Sequence, residues 1–393
     1  MDVQRPYQDE LLEKLARSVE WHGVHAYGNP DRENGSPLYT QLCPAIAADP
    51  AVLALITEAD RNQQVSNLLF AAVHFLLLSG IQHPLADFYP SLSASPRPNE
   101  EAYPFFRAFC LEHADDIRRL VSTQRVQTNE VGRCSAFLPA FELVSRLGQR
   151  KQFLTDDLSA PAMNRGATTR KRVGRLNSKP LAMIEIGPSA GLNMLWDKFG
   201  YDYGSAGYAG DKASPVQLHC QTRGQLLPPL PATMPQVVKR VGIDLLPIDV
   251  NDEQATRWLR ALIWPEQQGR ARLLTQALEL ARRYPPTLLK GNALNLLPAV
   301  LAEMPTDATL CIYHSYALNQ TPRAIREQIL ELIAHYGKTH DLFRVSQEWF
   351  AGQEQAQVEL YHYQQGEIQQ TLLTYCESHG RWLEWLYQED SGL

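Results

Sequence analysis

The sequence predicts an α/β protein: a mostly parallel sheet with a closing antiparallel hairpin, preceded by an all-α N-terminal domain. Three observations predict it. Residues 1 to about 155 place apolar side chains at helical spacing and carry little strand signal. The stretch Met183–Asn193, MIEIGPSAGLN, reads as a buried strand that runs through a glycine turn into a helix. From Leu181 onward strands and helices alternate, the pattern of a sheet covered by crossover helices. The implied organisation is a helical domain over 1–155, a basic linker over 156–180, and an α/β domain over 181–393 with an insertion at about 200–235.

In the helical part, Leu12, Leu15 and Val19 make one face. The run from Asn67 to Ser79 is apolar on nearly every side, so it belongs at the centre of a bundle. His74 within it reads as a satisfied core residue. Tyr89 to Asn99 is a Ser/Pro-rich irregular loop. Glu100 to Gln124 is a further helix with Phe105, Phe106, Phe109, Ile117 and Leu120 inward. The next segment, QTNEVGRC over 127–134, crowds polar groups before an apolar helix. It is either a connecting loop in which Asn129 or Thr128 caps that helix, or a set in which Asn129, Glu130 and Arg133 face a ligand. Residues 158–184 contain no acid and read as a solvated basic linker.

In the second part, Leu192, Leu195, Trp196 and Phe199 mark one face of the helix after the glycine turn. The insertion contains YDYG and SPVQLHCQTRG, the latter a candidate hairpin. Val237–Asp244 is a strand ending in an acid, and Asp252 caps the next helix, which stops at Pro265. A helix over about Gly269–Arg283 and a strand over Thr287–Lys290 follow, then Gly291-Asn292-Ala293. Thr309–Tyr313 is the fourth strand, ending at His314-Ser315-Tyr316. A helix from Pro322 to His335, a fifth strand from Leu342 to Ser346, and a hairpin over 357–375 complete the chain.

Composition narrows the function. At 393 residues with 44% apolar and 20% charged side chains, a sizeable core is expected. A net charge of −6 gives no general reason to expect nucleic-acid binding. Six scattered cysteines without a C-x-x-C pair suit reduced thiols in a cytoplasmic protein. The N-terminus has no secretory pattern. The longest apolar run, Leu68–Leu78, is well short of the roughly 20 residues that span a bilayer, so no membrane is expected. The histidines show no metal-ligand spacing, and no metal is expected.

Two chemistries use a strand, a glycine turn and a helix. Gly187-Pro188-Ser189-Ala190-Gly191 fits the G-x-S-x-G elbow that presents a nucleophilic serine, with Asp244 or Asp307 and then His314 in a permitted order. No HGGG-type stretch precedes it, and a serine hydrolase leaves Glu185 unexplained. Alternatively the turn cradles a nucleotide-type ligand at a helix N-terminus. A plain connection whose glycines only allow close packing is the third possibility. The ligand-binding reading is preferred.

The spacing Glu-x-Gly-x-Ser-x-Gly resembles motif one of class I S-adenosylmethionine-dependent methyltransferases, with Ser189 for the middle glycine. VGIDLLP resembles their motif two, and GNA their motif three with Asn292 for the usual aspartate. The resemblance implies a Rossmann-like methyltransferase-type sheet. It also implies that Glu185, Gly187, Ser189, Gly191 and Asn193 surround the methionyl part, Asp244 holds the ribose, and Leu245 and Asn292 meet the adenine. His314 is then the candidate base, Tyr316 orients a small-molecule acceptor, and Glu130 and Arg133 close the pocket. A catalytically inactive nucleotide-metabolite-binding or scaffold protein is the alternative. QTNEVGRC, EIGPSAGLN, YDYG, GIDLLPIDV, RWLRALIWPEQ and HSYALNQ together resemble the bacterial family called domain of unknown function 2332. That family implies a helical domain joined to a methyltransferase-like one and supplies no established reaction.

Overall fold

The computed structural model describes residues 4–28, 35–60, 63–127, 129–159, 179–349 and 355–388. Most of the expected linker, 160–178, lies outside them. Helices come first: α1 Gln4–His22, α2 Pro37–Ala47, α3 Pro50–Leu53, α4 Val65–Leu78, α5 Ala102–Glu112, α6 Ala114–Thr123 and α7 Cys134–Ser159. Strands β1 Leu181–Ile186, β2 Gly200–Asp202, β3 Tyr208–Gly210, β4 Gln217–His219, β5 Gln221–Arg223 and β6 Val237–Asp244 follow. Then come α8 Glu253–Ala261, α9 Gln268–Arg283, β7 Thr287–Lys290, α10 Ala293–Ala302, β8 Thr309–Ser315 and α11 Arg323–Tyr336. β9 Leu342–Glu348, β10 Ala356–Gln364, β11 Glu367–Cys376 and β12 Trp382–Trp385 complete the order.

Two compact units divide the chain. One is Met1–Thr128 with Asp249–Thr275, and the other is Asn129–Ile248 with Gln276–Leu393. The division thus falls before Asn129, and a segment from the middle of the chain joins the helical unit.

Side chains explain why that segment belongs there. Trp258 Nε1 donates to the Arg125 carbonyl at 2.9 Å, and Trp264 meets the Tyr27 ring edge-on at 5.1 Å. The Glu266 carboxylate accepts from Ser36 Oγ at 2.7 Å and from Leu38 N at 2.9 Å, so it satisfies the first turn of α2 from far along the chain. α4 is buried along most of its length, and Phe70 stacks on Tyr39 with centroids 3.9 Å apart. His74 donates from Nδ1 to the Ala261 carbonyl at 3.2 Å and accepts from Ser91 Oγ at 2.9 Å. Burial lowers its pKa to about 4, which keeps the ring neutral. The single helix expected over 100–124 is two, because His113 leaves helical dihedrals at φ −109°, ψ 30°.

The second unit holds a nine-stranded, mostly parallel sheet in the order β5-β12-β11-β10-β9-β8-β1-β6-β7, and a small sheet in the order β3-β2-β4. β1 lies inside, flanked by parallel β6 and β8. The chain builds outward to β6 and β7, then returns to the other side of β1 with β8 and β9. The carboxyl ends of β1 and β8 therefore meet where the winding reverses, the place where such sheets hold ligands. β1 alternates as a strand must. Ala182, Ile184 and Ile186 share a core with Leu297 and Val300 of α10 and with Ile329 and Ile333 of α11. On the opposite face Met183 meets Trp196 Nε1 at 3.2 Å. Phe137 and Phe141 of α7 pack edge-on against Tyr313, 5.5 and 5.1 Å away.

Two local expectations are corrected. The glycine turn leads into a seven-residue 3-10 run, Leu192–Lys198, kinked at Leu195, and Phe199 is extended. The candidate hairpin in the insertion is not one: β4 pairs with β2 and β5 with β12, both in parallel. Three-residue strands form too few ladder bonds to stand as a hairpin, and each gains by joining a larger sheet.

The α10–sheet core sets a stability test. Leu297→Ala, at a fully buried site, is expected to cost about 2–5 kcal/mol in urea denaturation. Ile368→Ala on the exposed face of β11 is expected to stay within about 0.5 kcal/mol.

Candidate functional site at the carboxyl edge of the sheet

The β1 turn needs left-handed backbone at Gly187 (φ 76°), Ser189 (φ 53°) and Gly191 (φ 72°). Glycine takes this conformation without strain and serine does not. Side chains hold the turn in place. Ser189 N donates to Asp244 Oδ2 at 2.8 Å, and Ala190 N to Asn129 Oδ1 at 2.9 Å. Asn129 Nδ2 donates to Ser189 Oγ at 2.8 Å. Gly191 N bonds the Pro188 carbonyl, and Gly187 N the Ile243 carbonyl. The amides that would cradle a phosphate or carboxylate are thus bonded within the protein. Space is taken as well: a Cβ at Gly187 would stand 2.5 Å from the Ala317 methyl, and one at Gly191 2.7 Å from Pro286.

Asp244 ends β6 beside this turn. Its second oxygen accepts from Leu246 N at 2.8 Å. Each carboxylate oxygen has two lone pairs, so one on each remains for a ligand. Leu245, next to it, is 66% exposed, and Leu246 is 43% exposed. Asn292 caps α10, accepting from Leu294 N at 3.0 Å. Asn193 turns inward, and its Oδ1 accepts from Cys134 Sγ at 3.4 Å.

Glu185 points away from the turn into the face covered by α7. Only 2% exposed, it accepts from Tyr313 Oη at 2.9 Å. Burial, reinforced by the Asp244 charge, outweighs that bond and pushes its pKa up to about 8. The carboxyl is therefore mainly neutral at pH 7.

His314 is 1% exposed, and both ring nitrogens are bonded. Arg344 donates to Nε2 at 3.0 Å, so Nδ1 carries the proton and gives it to Glu348 Oε1 at 2.7 Å. Burial lowers the His314 pKa, which suits this neutral tautomer. Glu348 also accepts from the amides of Ala317, Leu318 and Asn319, at 3.2, 3.0 and 3.2 Å. It thereby pins the loop after β8. Ser189 and His314 share no hydrogen bond, and Ser189 Oγ is engaged by Asn129, so no Ser–His pair of the hydrolase kind is assembled.

Arg133 and Tyr316 do come together. The guanidinium lies 4.3 Å from the Tyr316 ring centroid, Nε donates to the Ser378 carbonyl at 3.2 Å, and NH1 lies 3.4 Å from Ser315 Oγ. Tyr316 adopts φ 52°, and its buried hydroxyl has no hydrogen-bond partner among the described residues. Burial raises its pKa. Glu130 is buried and bonds Gly132 N at 3.4 Å, closing the 3-10 turn Val131–Arg133.

The match to known families covers most of the chain: residues 23–155 and 167–385 fit the family described as an uncharacterized protein conserved in bacteria (DUF2332). The chain belongs to this family. No curated protein and no solved structure matches it. In this DUF2332 protein, the described residues contain no group of three His, Cys, Asp or Glu placed to hold a metal. No single described helix is long and apolar enough to cross a membrane.

The structure gathers Asn129, Ser189, Asp244 and Leu245 at one edge and Arg133 with Tyr316 at the neighbouring strand end. Glu185, Asn193 and His314 are turned into the interior. Glu348 and Arg344 escaped the sequence analysis. A fifth strand read two residues longer would have placed an acid at its end, as on β6.

Two outcomes test this arrangement. A buried acid with a raised folded-state pKa stabilises the fold fully below its unfolded pKa near 4.5, and the contribution is lost as pH climbs toward about 8. Glu185→Gln should abolish that decline, so the variant gains on the parent between pH 5 and pH 8 in urea titrations. Parallel pH dependences would disprove the shift. Asn129→Ala strands the Ala190 amide and should cost about 1–3 kcal/mol by the same measurement.

Proposed function

We propose that the sheet unit binds a ribonucleoside ligand at the carboxyl edge, with Asp244 accepting from the ribose hydroxyls and Leu245 packing on the base. The carrying observation is the pair itself: a carboxylate with acceptor capacity left over, next to a leucine left two-thirds bare. A carboxylate takes both hydrogen bonds of a vicinal diol, and a flat apolar base covers exposed leucine. The parallel order β7-β6-β1-β8-β9 supports the reading, because it matches the first five strands of a doubly wound nucleotide-binding sheet.

The fit to S-adenosylmethionine is divided. The nucleoside half suits Asp244 and Leu245. The methionyl half does not suit the turn, whose amides are bonded and whose glycine faces meet Ala317 and Pro286. Glu185 faces the α7 side rather than the turn, and Asn292 Oδ1 caps its helix. Binding of a nucleoside metabolite is therefore the primary reading. Methyl transfer from S-adenosylmethionine to a small acceptor is the second, and strand order together with the motif-two acid favours it. His314 has no free nitrogen with which to take a proton in that reaction.

Calorimetric titration with adenosine, S-adenosylhomocysteine and S-adenosylmethionine decides the matter. All three are expected to bind, with Leu245→Asp weakening each at least tenfold, about 1.4 kcal/mol, and leaving the melting temperature in place. Asp244→Ala should abolish binding, although it also frees the Ser189 and Leu246 amides. No binding to the parent protein removes the proposal. Release of S-adenosylhomocysteine in the presence of an acceptor would promote the second reading to first.

A further inference from the structure

At the far edge of the sheet, β6 is longer than its outer neighbour. β7 pairs with Val241–Asp244 only, whereas β1 pairs with β6 from Val237 onward on the other side. Among the described residues, Val237–Arg240 therefore have a strand on one side and none on the other. The place a further strand would occupy is a notch of about 680 Å3 at the amino ends of β6 and β7. Successive residues of β6, from Val237 to Val241, all line it, so both faces of the strand border the notch. Leu296 and Val300 of α10 form one wall, Leu195 stands on the other, and Tyr284 with Pro285 closes the end.

The lining carries a net positive charge in a chain whose total is −6. The lining includes Lys198, Lys239, Arg240 and Arg283 and one acid, Glu303. Arg240 and Lys198 share one carboxylate, Asp197, at 2.7 and 2.9 Å. Lys239 stands 3.4 Å from Glu303. Arg283 lies over the Tyr284 ring at 5.3 Å. The chain's own stretch 160–178 has the wrong sign for this notch, since it contains bases and no acid.

We propose that the notch receives an extended segment of a partner protein, alternating apolar and acidic side chains, which pairs with Val237–Arg240 as an added strand. Such a segment supplies backbone partners to the bare edge, sends its apolar side chains onto Leu296 and Val300 on one wall, and turns its carboxylates to the opposite wall, where Lys198 and Arg240 stand. A small amphipathic acid uses the walls and the charge but leaves the strand edge without a partner.

The test is fluorescence anisotropy of the full chain with labelled acetyl-Val-Glu-Val-Glu-Val-Glu-amide. Saturable binding is expected, weakened at least tenfold in Lys198→Glu/Arg283→Glu and by N-methylation of alternate peptide nitrogens. Replacing the peptide's glutamates by lysines should abolish it. The melting temperature of the double variant checks its fold, and slowed hydrogen exchange at 237–240 in the parent protein reads the added strand without any variant. Absence of binding at millimolar peptide overturns the proposal. Binding indifferent to N-methylation also overturns it, and dodecanoate as an equally tight ligand would reassign the notch to small amphipathic acids. Adenosine titration of the double variant is expected to be unchanged, which separates this outcome from the ligand at Asp244.

Discussion

Where strands β1 and β8 leave the sheet, their loops carry amides that no ladder satisfies, and the protein must bond them another way. A buried amide without a partner costs as much as a lost hydrogen bond or more. Here three side chains do the bonding. Asn129 and Asp244 take the two central amides of the β1 turn. Glu348 takes three in the loop after β8. These side chains come from the segment before α7 and from the ends of β6 and β9, so the edge takes shape only once the sheet is in order. The loops are consequences of the sheet, and their geometry is set by residues far away in sequence.

This arrangement explains which parts of the molecule could be read from the sequence. The parallel strands were legible because each is an apolar run ended by a turn signal, and a run such as Thr309–Tyr313 is buried on both faces whatever follows it. The cap at Asp252 is local and can be seen locally, whereas Asn292, read from the sequence as an adenine contact, caps α10. Tertiary effects were not. Nothing in Asp249–Thr275 announces that Glu266 will cap α2 or that Trp264 will meet Tyr27. The break at His113 has no proline or glycine to signal it. β4 and β5 look like one hairpin because period-two alternation is blind to which neighbour a strand will choose.

The site was legible in its composition and less so in its roles. A sequence shows that an acid ends a strand but not which way its side chain goes. On β1, even one step decides: Ile186 lies on the α10 face, and Glu185 on the opposite one. The same blindness applies to His314. Its place at the end of β8 suits a base, yet Arg344 and Glu348, supplied by the next strand, occupy both nitrogens. Glycines mislead in the complementary way, since room for a ligand and room for Ala317 produce the same letter at position 187.

Proton transfer sets the last constraint on what this edge can do. Burial shifts three titratable groups near it: Glu185, His314 and Tyr316. Glu185 is buried and bonded to Tyr313, which leaves it mainly protonated at neutral pH and unfit to act as a base there. His314 is buried with its lone pair given to Arg344. Tyr316 is held protonated by burial, and the guanidinium above its ring opposes that effect without reversing it. If methyl transfer, the second reading, takes place here, these three groups supply no base, which favours a nucleophile that is already deprotonated, such as a thiolate, or an amine that loses its proton to water only after transfer. An alcohol needs a base in the transition state. Thiolate and amine acceptors are the ones to try with S-adenosylmethionine, and turnover of an alcohol would require a base other than these three groups.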